Sequence, residues 1–424
     1  MFRSAAFLIA WLLAVPAFAG MPPGMRNPQV RPANASAGLP AVDDNLGAGG
    51  YPIAGGICAE WGHQVPCNDH YSTTRASTKY VMASDGLFTS VPSNVLALAN
   101  NTGGLIEEAR TNLALWSRDL TQSGTWIVVT MTAAKNAVGI DGTANSATTL
   151  TSSSAAGTIL QSLTQASAAY TYTVYVKGVT VTGAIQVADY PVLTPSFTTL
   201  SSANCFNPAG VGVAPASGQT GFLRCTVTAT SLNPVIGFKF ANSGDSIIAD
   251  FNQLEAGSFG TSPIATTNAT ATRAADVVSL AGLPLTAMQA SAGTALTIGS
   301  VNGNTGVIQA LLKSSTGGTV GSSAGESSNA FAAVSLASVA SLFNFGRRWV
   351  TGNTEKEAFA WQSSNYAGCL SAGVLQTSSN SNTPVNSSFT LGSYSNSNFL
   401  DGTISRLVFW STRIPNAQVT AECT

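Results

Sequence analysis

Few residues in this 424-residue chain are equipped to do acid–base or nucleophilic chemistry. There are only two histidines, His63 and His70, both near the N-terminus. A Ser-His-Asp triad would have to recruit one of them, and no GxSxG elbow or HExxH helix marks a site. Glycoside hydrolysis needs two carboxylates about 5–10 Å apart across a cleft. Glu107 and Glu108 are neighbours, so on a strand they point to opposite faces. Glu355 and Glu357 in TEKEAFAW share a strand face as a hydrolase pair would, but Lys356 between them suits a solvated edge. The expectation is a protein without enzymatic activity.

The six cysteines fall into three local couples: Cys58 and Cys67, Cys205 and Cys225, Cys369 and Cys423. Six cysteines allow 15 connectivities, and nearest-neighbour pairing is one of them. Zinc at Cys58, His63, Cys67 and His70 is the weaker reading, because the pairs lack CxxC and HxxxH spacing. Sugar sites combine aromatic faces with polar groups for the hydroxyls. On that ground Trp349, beside Arg347 and Arg348, Trp361, before QSSNYAG, and also Tyr366 and Tyr394 are the candidate glycan-binding residues. Trp410, inside an apolar strand, reads as core. No cofactor is implied. The oxygen-rich run SSNSNTPVNSS could contribute to Ca²⁺ binding, but no EF-hand loop is present.

The elements that would position these residues are strands. Hydrophobic residues make up 45% of the chain and charged ones only 9%, against roughly 25% in an average soluble protein. Net charge is −1 without basic runs, which argues against nucleic acid as a partner. MFRSAAFLIAWLLAVPAFAG carries Arg3, an apolar core and Ala17-Phe18-Ala19, the layout of a secretory signal peptide over 1–19. Residues 20–50 read as an extended arm, and 51–109 as a small β segment.

From 110 to 280 short strands recur, as in YTYTVYVKG, where Tyr170, Tyr172, Val174 and Val176 oppose Thr171, Thr173, Tyr175 and Lys177. In SIIADFNQLEAG, Ile247, Ala249, Phe251 and Gln253 oppose Ile248, Asp250, Asn252 and Leu254. A second all-β run fills 281–424 and ends in a short helix opened by Pro415. Two small repeats, TRAS at Thr74–Ser77 and TRAA at Thr272–Ala275, bracket the first run.

STTRASTKYVMASDGLFTSVPSNV, GGLIEEARTNLALWSRDLTQSGTW, YTYTVYVKG and DFNQLEAGSFGTSPIATTNATATRAADVV resemble, in order over 72–279, a module of bacteriophage and prophage fibre, spike or adhesin proteins. The resemblance implies a jelly-roll, carbohydrate-binding-like domain framed by the two TRA motifs. SSFTLGSYSNSNFLDGTISRLVFWSTRIPNAQVTAEC looks like the end of a laminin-G/concanavalin-like sandwich, with Phe399, Gly402, Ile404 and Trp410 in its frame. The expected fold is therefore all-β: a jelly-roll β-sandwich followed by a laminin-G-like β-sandwich. The implied role is attachment of a phage-derived particle to bacterial surface glycans, with other particle proteins as partners, on a virion surface or in the extracellular space. A structural spacer, an exported bacterial carbohydrate-binding protein and a polysaccharide-degrading enzyme are the alternatives. Fibres of this kind are often trimeric, but no coiled-coil heptads fix an oligomer here.

Overall fold

The computed structural model describes residues 40–424 apart from 47–57, 61–62, 66, 84, 100–101, 189–195, 302–307, 315–317, 326–330, 337–342, 345–348, 351, 372–374, 380–387 and 394–398; within 308–344 only the backbone is described. The signal-like segment, most of the arm and most of the SSNSNTPVNSS run lie outside the described residues. The fold is all-β, as expected, with two short α-helices among the described residues, Gly282–Met288 and Asn416–Cys423.

One β-sandwich spans 127–256. Its five-stranded sheet is ordered Ile127–Val129, Gly157–Ser162, Val235–Phe240, Ile185–Ala188, Phe197–Thr199. The six-stranded sheet is ordered Met131–Ala137, Ala147–Ser152, Ser246–Ala256, Ala168–Thr180, Leu223–Ser231, Cys205–Phe206. Between them lies a core of alternate residues, including Tyr170, Tyr172, Val174 and Val176 from one sheet and Ile236, Phe238 and Phe240 from the other. The alternation expected for Ala168–Thr180 thus holds. In Ser246–Ala256 it breaks: Ile247 and Ala249 enter the core, but Phe251 joins a separate aromatic cluster on the outer face. A register shift against Ala168–Thr180 and a φ of +44° at Phe251 turn the strand over, after which Leu254 faces inward again.

The second sandwich is not confined to 281–424. Its larger sheet runs His63–Val65, Cys58–Glu60, Val42–Asn45, Gly402–Trp410, Ala292–Val301, Glu355–Gln362, Tyr366–Leu370, Gln376–Ser378. Gly103–Ile106 also pairs with Gly402–Trp410. The facing sheet ends in Phe389–Leu391, Val277–Leu280 and Tyr71–Thr74. Most strands between 42 and 106 therefore complete the sheets of the C-terminal region instead of forming a separate small segment, the exception being the hairpin Lys79–Met82/Phe88–Val91, and the arm expected over 20–50 contains a strand. The first sandwich is an insertion in the second, entered after Ile106 and left before Val277. The strands there approach closely: a Cβ on Gly402 would lie 2.0 Å from the Ser300 carbonyl oxygen, and one on Gly103, at φ +109°, 2.1 Å from that of Ile404.

All three nearest-neighbour cysteine couples are disulfides, Cys58–Cys67, Cys205–Cys225 and Cys369–Cys423. The zinc alternative at Cys58 and Cys67 thereby falls, since neither sulfur is a free thiolate. Three disulfides mark an extracellular or secreted protein. Among the described residues no helix is long and apolar enough to cross a membrane.

Candidate functional site: an aromatic cleft over a buried charge lock

The two TRA motifs meet at the joint between the sandwiches. Arg75 and Arg273 are both buried, and both reach Asp276, at 2.7 and 3.7 Å. Lys79 bridges Asp276 at 2.6 Å and Glu107 at 2.8 Å, and Arg273 lies 3.6 Å from Glu107. Three cations and two carboxylates thus bind the first sandwich's entry strand to its exit strand, where Arg110–Asn112 pairs with Ala271–Arg273. Burial alone would raise the Glu107 carboxyl, but Lys79, Arg273 and the Ser262 hydroxyl hold it far below the ordinary carboxylate range. Asp401 lies beside this lock, 1% exposed, and its Oδ1 accepts the Glu108 backbone N–H at 2.8 Å. Among the described residues its Oδ2 has no partner. Burial, with the charges of Glu108 and Glu107, pushes this carboxyl up to about 7.

Above the lock a cleft of about 570 Å³ opens between the outer face of the six-stranded sheet and the hairpin Lys79–Met82/Phe88–Val91. That volume falls within the range of small-molecule sites. The hairpin contributes Tyr80, Met82 and Phe88. Phe88 packs edge-on to Tyr175, and Tyr80 to Phe251, both at 5.0 Å between ring centroids. On the sheet, Phe206, Arg224 and Tyr175 are direct cross-strand neighbours and form one row across the floor. The Cys205–Cys225 disulfide fixes that row, because it joins the residues next to Phe206 and Arg224 on the face behind, in the core. Phe206 is 41% exposed. Arg224 donates to the Gly260 carbonyl at 2.7 Å, and its charge stands near the Tyr175 hydroxyl. Burial raises the Tyr175 phenol despite that charge. Asn207, Thr226, Ser258 and Thr261 add polar groups, and Glu107 and Ser262 connect the cleft to the charge lock.

The residues expected to bind sugar are elsewhere. Trp349, Trp361 and Tyr366 are fully buried in the core of the second sandwich, where Trp361 and Tyr366 flank Phe359 as stacked rings and Trp361 Nε1 donates to the Ala290 carbonyl. With no face open they offer no platform: Trp361 and Tyr366 lie on paired strands near one end of the large sheet, on the side that faces the core shared with Trp349. Tyr394 lies outside the described residues. Trp410 is core, as expected. Glu355 and Glu357 are not a solvated edge: they are 3% and 2% exposed, on the inward side of the strand that also carries Phe359 and Trp361. Among the described residues neither Glu357 oxygen has a partner, and burial drives its carboxyl well above the ordinary range. The cleft residues were missed although one signal was available: pairing Cys205 with Cys225 on antiparallel strands sets Phe206 opposite Arg224.

A second polar cluster sits in the larger sandwich. Asp44 accepts from the Tyr71 hydroxyl at 2.6 Å and lies 2.8 Å from His70 Nδ1, while Glu60 lies 3.2 Å from His70 Nε2. Burial would lower the imidazole, but hydrogen bonds and charge from Asp44 and Glu60 outweigh it, and the net shift is upward. Cys58 is close to Asp44 and His70, but its sulfur is committed to the disulfide.

No family model matches the chain, and neither does any curated protein. Solved structures that match include Trypanosoma rangeli sialidase in complex with the inhibitor DANA, at 11% identity and TM-score 0.28 over 35% of this chain and 26% of that one. The same sialidase in complex with sialic acid matches at 9% identity and TM-score 0.27, over 65% and 60%. The chain thus spans about a quarter of the first of these structures. The expectation of a protein without enzymatic activity is withdrawn, because the structures that match are enzymes. A likeness this slight carries no argument for a particular activity, so function is argued from the chain's own residues.

Proposed function

We propose that this is an adhesion protein, borne on a phage-derived particle or exported, that binds a bacterial surface glycan in the cleft between its two sandwiches. The observation that carries this reading is the row Phe206–Arg224–Tyr175 at the floor of a 570 Å³ cleft, facing Tyr80 and Met82 across it. An exposed ring beside hydrogen-bonding groups suits a sugar, which presents an apolar face and a polar rim. The resemblance of 72–279 to phage fibre and adhesin modules supports the same reading, and the three disulfides favour an exported form. Weak single contacts gain strength when several copies sit on one particle or surface.

The test is an array of bacterial surface glycans probed with the full chain and with Phe206→Ala and Tyr80→Ala. Saturable binding that falls at least tenfold in both variants, with unchanged circular dichroism, is the expected result. A folded chain that binds nothing, or binds equally well in both variants, would sink the proposal.

A further inference from the structure

We propose that the cleft selects a glycan carrying a carboxylate group, which Arg224 grips while Phe206 stacks on the sugar ring; this rests on the cleft being the glycan site. Among the described residues two charged side chains line the cleft, Arg224 and Glu107. Glu107 is already engaged by Lys79, Arg273 and Ser262, so it has little capacity left for a ligand. Arg224 differs. Its described hydrogen bond goes to a neutral carbonyl, and no carboxylate pairs with it among the described residues. A guanidinium has five N–H donors in a planar fork that matches a carboxylate in two-point geometry, so most of its capacity is open. The bond to the Gly260 carbonyl steadies the fork beforehand, which reduces the ordering that binding would require.

The neighbours agree with this assignment. Phe206 stands directly opposite Arg224 on the next strand, so a ring stacked on Phe206 brings an equatorial substituent toward the guanidinium. Phe222, just ahead of the strand that carries Arg224, also lines the cleft and extends its apolar surface. The cleft therefore presents one unneutralised positive charge within an aromatic frame, in a protein whose formal net charge is −1. A general attraction for polyanions would not arise from that net charge, so any preference for an acidic sugar must come from this one residue.

The experiment compares a hexuronate-containing bacterial polysaccharide with its carboxyl-reduced, neutral form by titration calorimetry on the full disulfide-bonded chain. The acidic form should bind at least tenfold more tightly. Arg224→Gln should abolish that preference, Arg224→Lys should restore part of it, and Phe206→Ala should weaken both forms alike. Equal binding of the two forms, with Phe206→Ala still weakening both, would overturn the carboxylate assignment and leave the cleft as the glycan site. Binding indifferent to both Phe206→Ala and Arg224→Gln would overturn the cleft itself. No binding by either form would count against the carboxylate assignment.

Discussion

Asp401→Asn should make this protein more stable, and only above mild acid pH. Asp401 is 1% exposed, its Oδ2 has no partner among the described residues, and its folded carboxyl titrates at about 7 against an ordinary 3.8. A folded pKa above the unfolded one means that ionisation opposes folding. The stability is whole below about pH 4 and is lost as pH rises through about 7. The difference is roughly 3 units at about 1.4 kcal/mol each, which sets a ceiling of about 4 kcal/mol at pH 8. Asparagine keeps the Oδ1 acceptor for the Glu108 N–H and tolerates the positive φ of +44° at this position. Urea midpoints at pH 4, 6 and 8 should show the variant gaining little at pH 4 and about 2–4 kcal/mol at pH 8. A gain independent of pH, or no gain at pH 8, would refute the reasoning.

Three other perturbations have definite expectations. Asp276→Asn removes the carboxylate shared by Arg75 and Lys79 and leaves buried cations uncompensated, so urea unfolding should show a loss of about 3–5 kcal/mol. His70→Gln removes the imidazole held between Asp44 and Glu60, whose pKa is raised; the wild-type advantage should be full below about pH 6.5 and fade as pH rises through the folded value, and a difference constant from pH 5 to 9 would count against it. Replacing Cys205 and Cys225 together by Ala should weaken glycan binding more than it lowers the thermal midpoint of the second sandwich, because the disulfide fixes Phe206 beside Arg224.

Alternation carried the sequence reading wherever a strand is straight. Tyr170, Tyr172, Val174 and Val176 face one core because nothing interrupts their period of two. Phe251 defeats the rule because a backbone turn-over has no side-chain signature: no glycine marks it, and φ is positive at an aromatic residue. The misplaced aromatics have another cause. Trp349, Trp361 and Tyr366 have polar sequence neighbours, but which side of a strand or loop is covered by the facing sheet depends on partners far along the chain. Glu355 and Glu357 were misjudged for the same reason: a charged triplet reads as solvated unless the sheet order is known.

The insertion was legible only through the TRA repeats. A domain inserted into another must return to its point of entry, and here entry and exit lie 169 residues apart in sequence at the Glu107 N–H bond to Asp276. Hydrophobic packing alone fixes such a joint loosely, because apolar side chains accept many arrangements. Buried charges accept few, since each must find its partner or bear a desolvation cost. Thr74 ends the edge strand paired with Val277–Leu280 and Arg75 follows it directly, while Thr272-Arg273 lies on the strand paired with Arg110–Asn112, so each motif delivers one arginine to the same carboxylate. The repeat is therefore two halves of one clamp. Because Glu107 and Ser262 belong to both the clamp and the cleft, loosening it by Asp276→Asn should also weaken glycan binding, with no clamp residue needing to touch the sugar.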